Sequence, residues 1–417
     1  MSIEAADVVI VGAGAAGLMA AIVAAREAPG RRIVALDGAR TIGAKILVAG
    51  GGRCNVTHHE VSERDYAGGS PHAIKQVLRS FGVRDTVAFF QELGVELKRE
   101  GTGKLFPTTD TARTVLNALL TGLREAGGEL SHPTRVRSIT RSPADGPFRV
   151  EADGVTLLAH RVIMATGGMA LPKSGSDGGG YAIARALGHS LREPILPALA
   201  PLVVTDPPWI RELSGVAVHA SITLVSSSGK HLLTMDRDML CTHFGLSGPG
   251  PMDVSRHWQM ARVADRGAHI LVSWQSGLTL DAVESMMRGS HAPALPWLRE
   301  VVPERLARAL LDAARVPVDA SMRQLPKESR RALASLITQC PVRPSETRGF
   351  TYAEATAGGV PLDEVKLATM ESRRCPGLSL CGEILDVDGR IGGFNFQWAW
   401  ATGTLAGRSA ARSLPPP

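Results

Sequence analysis

The sequence predicts an α/β fold in which a Rossmann-like domain is interrupted by a β-rich segment and a helical segment. Near the N-terminus, a glycine-rich turn joins an apolar strand to an alanine-rich helix. The composition turns proline-rich and strand-like from about residue 193, and helical from about residue 277. A glycine-rich, strand-like pattern returns from about residue 343, so we expect the two ends of the chain to complete one domain.

The N-terminal segment from residue 7 to residue 37 has the order expected of a dinucleotide-binding βαβ unit. An apolar strand, Val8 to Val11, precedes the turn, and a second strand, Ile33 to Leu36, ends at Asp37. The turn carries three glycines, Gly12, Gly14 and Gly17. Because the strand, helix, second strand and acidic residue are all present, the motif predicts a bound dinucleotide, although it does not distinguish NAD from FAD.

Each residue type in this motif has a physical role. Gly12 permits the tight turn, Gly14 lets a pyrophosphate approach the backbone, and Gly17 lets the helix pack closely on the strand. Free N–H groups and the helix dipole favour phosphate at the helix N-terminus. Asp37 is placed to accept hydrogen bonds from an adenosine ribose.

Composition restricts the class of protein. The chain has 417 residues, of which 44% are hydrophobic, and no apolar run of 18 residues, so we expect several domains and no membrane span. The N-terminal apolar segment contains Glu4 and Asp7 and no basic region, which favours a strand over a signal peptide. Five scattered cysteines without zinc-like spacing predict no disulfide framework, no metal site and a cytoplasmic protein.

The net charge of +6 is compatible with anionic substrates, including nucleotides or RNA. The alternative is that the basic residues only form solvated faces. Because the sequence has no block of consecutive basic residues, RNA stays a possible partner, while DNA and membranes are not expected.

The local patterns give a sequence of elements and a domain division. Helices are predicted at about 71–93, 111–126 and 397–413, a glycine-rich loop at 43–57, and a hairpin at 148–164. We predict a cofactor domain from residues 1–192 and 343–417. A β domain is predicted from residues 193–276 with part of 340–360, and a helical insert from residues 277–340.

Three further segments place backbone and polar groups where a cofactor would lie. A glycine triplet, Gly50 to Gly52, precedes Arg53, Cys54 and Asn55; such a loop fits a flat ring or a phosphate, or else is a surface turn. A second segment, Val162 to Gly168, ends a buried strand on small residues.

The third segment runs from Cys381 to Gly403. Glu383 ends a strand and is a candidate to bind a ribityl chain, while Gly392 and Gly393 open a helix whose N-terminus would stabilise negative charge on a flavin. Trp398 and Trp400 are more typical of a core than of cofactor stacking.

These segments resemble the HI0933-like family of flavoproteins from end to end. The resemblance is carried by GAGAAGL, GGGRCNVT, THFGLSGP, AGGV, TMES and GEILDVDGRIGGFNFQWAWATG. It implies an FAD domain interrupted by a small β-barrel and a helical insert. The predicted cofactor-binding residues are Gly12, Gly14, Ala15, Ala16, Gly17, Asp37, Gly38, Lys45, Gly51, Gly52, Arg53, Asn55, Thr166, Gly167, Gly168, Glu383, Asp386, Gly392, Gly393, Phe394, Asn395 and Phe396.

The resemblance also implies a reaction, namely reduction of an activated carbon–carbon double bond with electrons from FAD. Such a reaction needs a hydride from the flavin, a proton donor and a group that polarises the carbonyl. The candidates are Arg53, Cys54, His243 and Tyr352. His243 has a structural alternative, and Cys54 has the alternative of a small packing residue.

We expect NAD(P)H to be the transient electron donor, although no second complete nucleotide fingerprint is present. The absence of a redox cysteine pair argues against disulfide reduction. The leading prediction is an FAD-dependent reductase of a small molecule. The alternatives are a flavin-dependent, dihydrouridine-forming RNA-modifying enzyme and a non-catalytic FAD-binding sensor or assembly protein. The oligomeric state is not predicted.

Overall fold

A computed structural model describes residues 2–141 and 146–416 of the chain. The strands are β1 (Ser2–Val11), β2 (Ile33–Leu36), β3 (Thr57–His58), β4 (Tyr66–Gly68), β5 (Leu97–Arg99), β6 (Lys104–Pro107), β7 (Glu129–Ser131), β8 (Val136–Arg141), β9 (Phe148–Ala152), β10 (Val155–Met164), β11 (Arg192–Ala198), β12 (Leu202–Asp206), β13 (Ala217–Val225), β14 (His231–Thr242), β15 (Gly245–Ser247), β16 (His269–Ser273), β17 (Cys340–Thr347), β18 (Ala355–Gly359), β19 (Val365–Lys366), β20 (Glu371–Ser372), β21 (Leu378–Leu380) and β22 (Val387–Gly389). The helices are α1 (Ala15–Glu27), α2 (Ala44–Gly52), α3 (Pro71–Ser80), α4 (Val83–Glu92), α5 (Ala112–Glu125), α6 (Gly179–Ala186), α7 (Trp209–Glu212), α8 (Pro249–Ala264), α9 (Leu280–Gly289), α10 (Ala294–Arg299), α11 (Glu304–Ala313), α12 (Lys327–Thr338) and α13 (Phe394–Arg412).

The chain divides into two compact units. The sheet unit comprises residues 1–196 and 354–417, and the barrel unit comprises residues 197–353. The β-rich and helical segments together form the barrel unit. The finer division into three domains stays a prediction.

The sheet unit is built on a parallel sheet with β1 near its centre. The order of its parallel strands is β21-β10-β1-β2-β7, and β9 continues antiparallel from β10. Val8, Val9 and Ile10 have no exposed surface, as expected for a strand covered on both faces. The predicted order of strand, helix and second strand at the N-terminus is confirmed.

The two ends of the chain meet where α1 packs against α13. A Cβ atom on Gly403 would lie 2.5 Å from the carbonyl oxygen of Ala16, and one on Gly407 would lie 2.3 Å from that of Ala20. Larger residues at these glycine positions would therefore push the helices apart. The N-terminal and C-terminal segments thus lie in one compact unit.

Three predicted elements differ in detail. The predicted loop at 43–57 contains the short helix α2, which is broken at Ala49 to Gly51 by non-helical backbone angles. The helix predicted at 71–93 is two helices, because the Asp85 carboxylate accepts the Gly82 N–H at 2.7 Å and caps a new helix there. The last helix begins at Phe394 rather than Gln397, directly after Gly393 at a φ of 91°.

The barrel unit contains a closed barrel of six strands, in the order β12-β15-β14-β13-β16-β17, with β12 pairing β17 to close it. This confirms the barrel that the family resemblance implied. Helices α9 to α12 follow β16 and precede β17, in the predicted helical segment. Trp258 and Trp274 are buried in the hydrophobic core of this unit.

In the described ranges, no helix is long and apolar enough to cross a membrane. A group of three or more His, Cys, Asp or Glu side chains able to hold a metal is also absent from those ranges. All five cysteines are free thiols.

Candidate cofactor and active site

The turn after β1 has the close packing that its glycines predict. Gly12 has a φ of 100°, and a Cβ atom there would lie 2.4 Å from the carbonyl oxygen of Ala165. A Cβ atom on Gly17 would lie only 1.8 Å from the carbonyl oxygen of Gly12. Both positions therefore require glycine, because any side chain would separate α1 from the sheet.

Gly14 differs from its two neighbours, because space is open where its side chain would be. A Cβ atom there would meet no described heavy atom within 4 Å beyond its chain neighbours. Gly14 is the N-cap of α1, and no side chain caps that end. The first turn, which includes Ala15 and Ala16, thus presents free backbone N–H groups to an open space, as a pyrophosphate site requires.

Asp37 lies directly after β2, and its carboxylate accepts a hydrogen bond from the backbone of the glycine-rich turn after β1. Its Oδ2 accepts the Ala13 N–H at 2.6 Å, and its Oδ1 accepts the Ala39 N–H at 2.7 Å. Each carboxylate oxygen keeps a further lone pair, so Asp37 can still accept a ribose hydroxyl. Gly38 leaves room for the Arg135 side chain, whose Cδ would be 2.6 Å from a Cβ atom at that position.

Glu383 lies in the turn after β21 and has one committed and one free oxygen. Its Oε2 accepts from the Lys45 ammonium at 2.5 Å. Its Oε1 is buried and has no hydrogen-bond partner among the described residues. A buried carboxylate oxygen without a donor is costly unless a ligand supplies one, and a ribityl hydroxyl is such a donor. Lys45 holds this carboxylate through the ion pair, and its predicted contact with the cofactor stays a prediction.

Asn55 provides a second acceptor of this kind. Its side chain is 7% exposed, and its Oδ1 is buried without a hydrogen-bond partner in the described part of the chain. This oxygen lies beside Gly393, since a Cβ atom on that glycine would be 2.9 Å away. Gly392 and Gly393 have φ values of 143° and 91°, and they open the N-terminus of α13. Asn55 and the N-terminus of α13 therefore adjoin.

The glycines next to Asn55 leave space on their own side of the loop. Gly51 and Gly52 have φ values of 69° and 87°. A Cβ atom on Gly51 would meet no described heavy atom within 4 Å beyond its chain neighbours, and one on Gly52 would have a single neighbour, the Leu47 carbonyl oxygen, at 3.9 Å. A flat ring can therefore lie against this backbone without displacing protein atoms.

The segment that follows β10 is closely packed against its protein neighbours. Gly167 has a φ of 70°, and a Cβ atom there would lie 2.2 Å from the Ser176 hydroxyl. A Cβ atom on Gly168 would lie 2.4 Å from the Thr356 hydroxyl, and the side chain of Thr166 fills the space beside Gly180. These positions need small residues for packing, independently of any cofactor contact.

Three other residues predicted to contact the cofactor lie at the start of α13, and their side chains contact protein groups. The Asn395 amide donates to the Gly389 carbonyl and accepts the Gly389 N–H, both at 2.8 Å. The Phe394 ring is buried and stacks on His58, while the Phe396 ring stacks on Trp400. These side chains shape the loop, so their direct contact with a cofactor stays a prediction.

Asp386 is buried, and its Oδ2 lies 3.9 Å from the Arg192 guanidinium. Its predicted contact with the cofactor also stays a prediction.

Gln397 is a positioning residue that the sequence interpretation missed. It is fully buried, its Oε1 accepts from the hydroxyls of Thr57 and Thr86 at 2.7 and 2.9 Å, and its amide donates to the Phe81 carbonyl. The indole N–H of Trp400 donates to the Val56 carbonyl at 2.9 Å. The bonds to Thr57 and to Val56 attach α13 to the segment that follows Asn55.

Arg53 and Cys54 are held by the protein in different ways. The Arg53 guanidinium donates to Glu100 at 2.5 Å, and this hydrogen bond is the main cause of the raised pKa of Arg53. The guanidinium also lies over the Phe106 ring. Cys54 is fully buried, and burial raises the pKa of its thiol to about 12. Burial favours the packing alternative for Cys54 over proton donation.

His243 and Tyr352 belong to the barrel unit. Tyr352 contacts Arg348, a residue that the sequence analysis did not predict to be functional. The Arg348 guanidinium carbon is 3.5 Å from the centre of the Tyr352 ring and 4.4 Å from the centre of the Phe244 ring. The His243 ring packs edge-on against Phe244, with ring centres 5.1 Å apart. The only sequence signal was Phe244, which lies inside the THFGLSGP segment.

Comparison with protein families identifies the chain. The HI0933-like protein Rossmann domain matches residues 6–409. The chain belongs to the HI0933-like family. It is 36% identical over 409 residues to a 3-dehydro-bile acid Δ(4,6)-reductase of Clostridium scindens, covering 96% of this chain and 98% of that protein. It is also 32% identical over 403 residues to the ribosomal RNA dihydrouridine synthase of Escherichia coli, covering 95% and 96%.

Solved structures share the fold at low sequence identity. The quinol fumarate reductase of E. coli matches with a TM-score of 0.53 and 20% identity, over 99% of this chain and 71% of that chain. A 3-ketosteroid Δ1-dehydrogenase from Sterolibacterium denitrificans matches with a TM-score of 0.53 and 12% identity, over 98% and 100%.

The family membership and the free acceptors at Glu383 and Asn55 agree with FAD as the cofactor. The chain is an FAD-dependent oxidoreductase. The alternative of a non-catalytic sensor is therefore not carried further.

Proposed function

We propose that this protein reduces a carbon–carbon double bond conjugated to a carbonyl group in a small molecule, with NAD(P)H as the electron source. The proposal rests mainly on the 36% identity to a protein named as a 3-dehydro-bile acid Δ(4,6)-reductase. The alignment covers 96% of this chain and 98% of that protein. When bound, FAD supplies the hydride for such a reduction.

The residues of the sheet unit would hold the cofactor. The open backbone at Gly14 would take the pyrophosphate, and Asp37 would accept from the adenosine ribose. The free Oε1 of Glu383 would accept from the ribityl chain, and the N-terminus of α13 would face the negative charge on the reduced ring. Lys45 and Gln397 would act as positioning residues, through Glu383 and through the Asn55 segment respectively.

For the proton that goes to the second carbon, His243 and Tyr352 stay the candidate donors. His243 is exposed, and Tyr352 has 48% of its surface exposed, so both can exchange protons with solvent. Cys54 is not assigned this role, because its thiol is fully buried and its pKa is raised.

A second candidate substrate is uridine in ribosomal RNA, since the uracil ring also contains a carbon–carbon double bond conjugated to a carbonyl. The 32% identity to a ribosomal RNA dihydrouridine synthase and the net charge of +6 favour it. The two candidates share the bond that is reduced and differ in the molecule that carries it.

Reoxidation of the reduced holoenzyme tests both candidates. The flavin is reduced anaerobically with NADH or NADPH and then mixed with a 3-oxo-4-ene steroid, a 3-oxo-4,6-diene steroid or unmodified ribosomal RNA. A saturated 3-oxo steroid is the control, since it has the carbonyl without the double bond. Fast reoxidation by an enone supports the first candidate, and reoxidation by RNA alone supports the second. Reoxidation by neither rejects the proposal.

A further inference from the structure

We propose that a cavity of the sheet unit, lined by Arg192, Arg373 and Arg374, binds a phosphate group of a nucleotide or of RNA. Neither the sequence motifs nor the names of the relatives assign these arginines a role. The inference goes beyond the proposed function, because phosphate binding requires no reduction of a substrate; only the choice of NADP⁺ as the nucleotide to test rests on the proposed electron donor.

The cavity lies wholly within the sheet unit and has a volume of about 540 Å³. Three segments line it, namely the residues that lead into β11, the 3₁₀ turn before β19 and the turn after β20. Sites for small molecules commonly enclose about 300–1,000 Å³, so the volume suits a group of nucleotide size. Among the described residues that line it, none is aromatic, and only Leu191 and Pro361 are apolar. The cavity therefore favours a polar ligand over a steroid.

The three arginines that line the cavity have donors to spare. The Nε of Arg192 is 3.9 Å from Asp386 Oδ2, which is beyond hydrogen-bond distance. Arg373 donates its Nε–H to a backbone carbonyl at 3.1 Å, and Arg374 donates one N–H to Glu364 at 3.4 Å. Because a guanidinium has five N–H donors, most of these groups have no acceptor among the described residues. Guanidinium groups bind phosphate oxygens in a bidentate way, so the spare donors match this ligand.

The two carboxylates at the cavity differ in how they act on an anion. Glu364 is buried, and both of its oxygens accept from protein groups: Oε1 from the Ser190 hydroxyl at 2.9 Å, and Oε2 from the Ser190 N–H at 3.1 Å. Asp363 is exposed, so solvent and salt screen its charge. An anion in the cavity therefore meets three guanidinium groups and one screened carboxylate.

A buried network holds two walls of the cavity in place. His189 lies 2.8 Å from Glu364 through Nδ1 and 2.8 Å from the Ser372 hydroxyl through Nε2. The Ser372 hydroxyl oxygen accepts the Arg374 N–H at 3.0 Å, and the Arg373 N–H donates to the Glu364 carbonyl at 2.8 Å. The backbone that carries two of the arginines is thus fixed before a ligand arrives, which lowers the cost of binding.

Pyrophosphate is the probe, because it has the charge of a dinucleotide bridge without its bases. Its dissociation constant is measured by calorimetry on the oxidised, FAD-loaded enzyme, so that the cofactor site is already filled. We expect Arg192→Gln, Arg373→Gln and Arg374→Gln each to weaken binding roughly tenfold, as the loss of a charge-assisted hydrogen bond implies. Arg137→Gln is the control, since it removes the same charge from an exposed arginine of β8 that pairs with Asp153; its affinity should be native.

Removal of the exposed carboxylate should have the opposite effect. Asp363→Asn removes a negative charge at the cavity, so it should bind pyrophosphate more tightly than the native chain. The FAD content and the unfolding temperature of each variant show whether it is folded. The inference is overturned if the native holoenzyme does not bind pyrophosphate, or if none of the folded arginine variants binds it more weakly.

Two further ligands distinguish the source of the phosphate. The dissociation constants of NADP⁺ and of a short single-stranded oligoribonucleotide are measured on the native holoenzyme and on Arg374→Gln. Weaker binding of NADP⁺ in the variant assigns the cavity to the nucleotide, and weaker binding of the oligoribonucleotide assigns it to RNA. A loss confined to pyrophosphate means that the cavity takes an adventitious ion only, which overturns the inference.

The outcome is separate from that of the proposed function. Binding is measured on the oxidised enzyme without turnover, so it does not depend on which double bond the flavin reduces. If the native enzyme reduces neither an enone nor RNA, the proposed function fails, and the affinities of the arginine variants still decide whether the cavity is a phosphate site.

Discussion

Lys45 and Glu383 form an ion pair with a nitrogen–oxygen distance of 2.5 Å, although 338 residues separate them in the sequence. The pair leaves the second carboxylate oxygen of Glu383 buried and without a described partner. The pair therefore joins the N-terminal and C-terminal parts of the proposed cofactor site, and the free oxygen is the acceptor that we propose for the ribityl chain.

Replacing Glu383 by Gln should weaken FAD binding. The change removes the ion pair with Lys45 and the charged acceptor, and a hydrogen bond to a charged group contributes about 1.5–3 kcal/mol. The FAD dissociation constant, measured by titrating the apoprotein, should rise roughly tenfold to a hundredfold. Glu371→Gln is the control, since Glu371 on β20 forms a similar ion pair with Lys366 on β19. Native FAD affinity in Glu383→Gln would contradict the assigned role.

Replacing Gly14 by Ala should reduce FAD affinity with little effect on folding. The new Cβ atom meets no described heavy atom beyond its chain neighbours, and φ at this position is −78°, which alanine adopts readily. Loss of the glycine N-cap should cost about 1 kcal/mol or less of unfolding free energy. The methyl group would occupy the space needed by the pyrophosphate.

The measurement for Gly14→Ala is the FAD dissociation constant together with thermal unfolding of the apoprotein. Gly289→Ala, at the end of α9, is the control, because its Cβ atom also enters open space. If Gly14→Ala and Gly289→Ala bind FAD equally well, the pyrophosphate does not lie at Gly14.

A buried carboxylate makes stability depend on pH. Burial alone would raise the pKa of Glu364, but hydrogen bonds from Ser190 and His189 outweigh it, and the net pKa lies below the ordinary value of 4.5. A carboxyl whose pKa is depressed by folding contributes stability above its unfolded pKa, and this contribution is lost as the pH falls through the folded value.

We therefore expect the unfolding free energy of the native chain to fall as the pH drops below about 4.5. Glu364→Gln should be less stable near neutral pH and should show a shallower fall in acid. Urea unfolding at a series of pH values measures this, with the exposed Glu300→Gln as control. An unchanged acid slope in Glu364→Gln would rule out the linkage.

Cysteine reactivity should follow burial. The thiols of Cys54 and Cys381 have no exposed surface, and burial raises their pKa values, whereas Cys375 is half-buried. Brief alkylation of the native holoenzyme with iodoacetamide, followed by mass spectrometry, should label Cys375 first and leave Cys54 unmodified. The unfolded chain is the control, in which all five thiols should react. Rapid labelling of native Cys54 would restore it as a candidate catalytic group.

Local features were predictable because their residues are contiguous. The glycines from Gly12 to Gly17, the strand before them and Asp37 lie within one βαβ unit, so spacing alone specified the turn and its ligand type. Glu383 was singled out as the acidic residue at the end of a strand, but the strand β21 ends at Leu380 and Glu383 lies in the 3₁₀ turn that follows it. The break in α2 and the separate start of α4 were not predicted, because each depends on backbone angles or on a single capping bond.

The sequence by itself determined the parallel-sheet domain and the dinucleotide turn, since these depend on short-range spacing of glycine, apolar and acidic residues, and the family resemblance implied FAD as the dinucleotide. Only the tertiary structure showed that Lys45 pairs with Glu383, that Cys54 is buried, and that the Arg348 guanidinium lies over the rings of Phe244 and Tyr352. Hydrophobic periodicity specifies which face of a helix or strand is buried, but it does not specify which side chain, distant in the sequence, contacts that face. Because β12 pairs with both β17 and β15, closure of the barrel brings Arg348, at the end of β17, to Phe244 in the turn between β14 and β15.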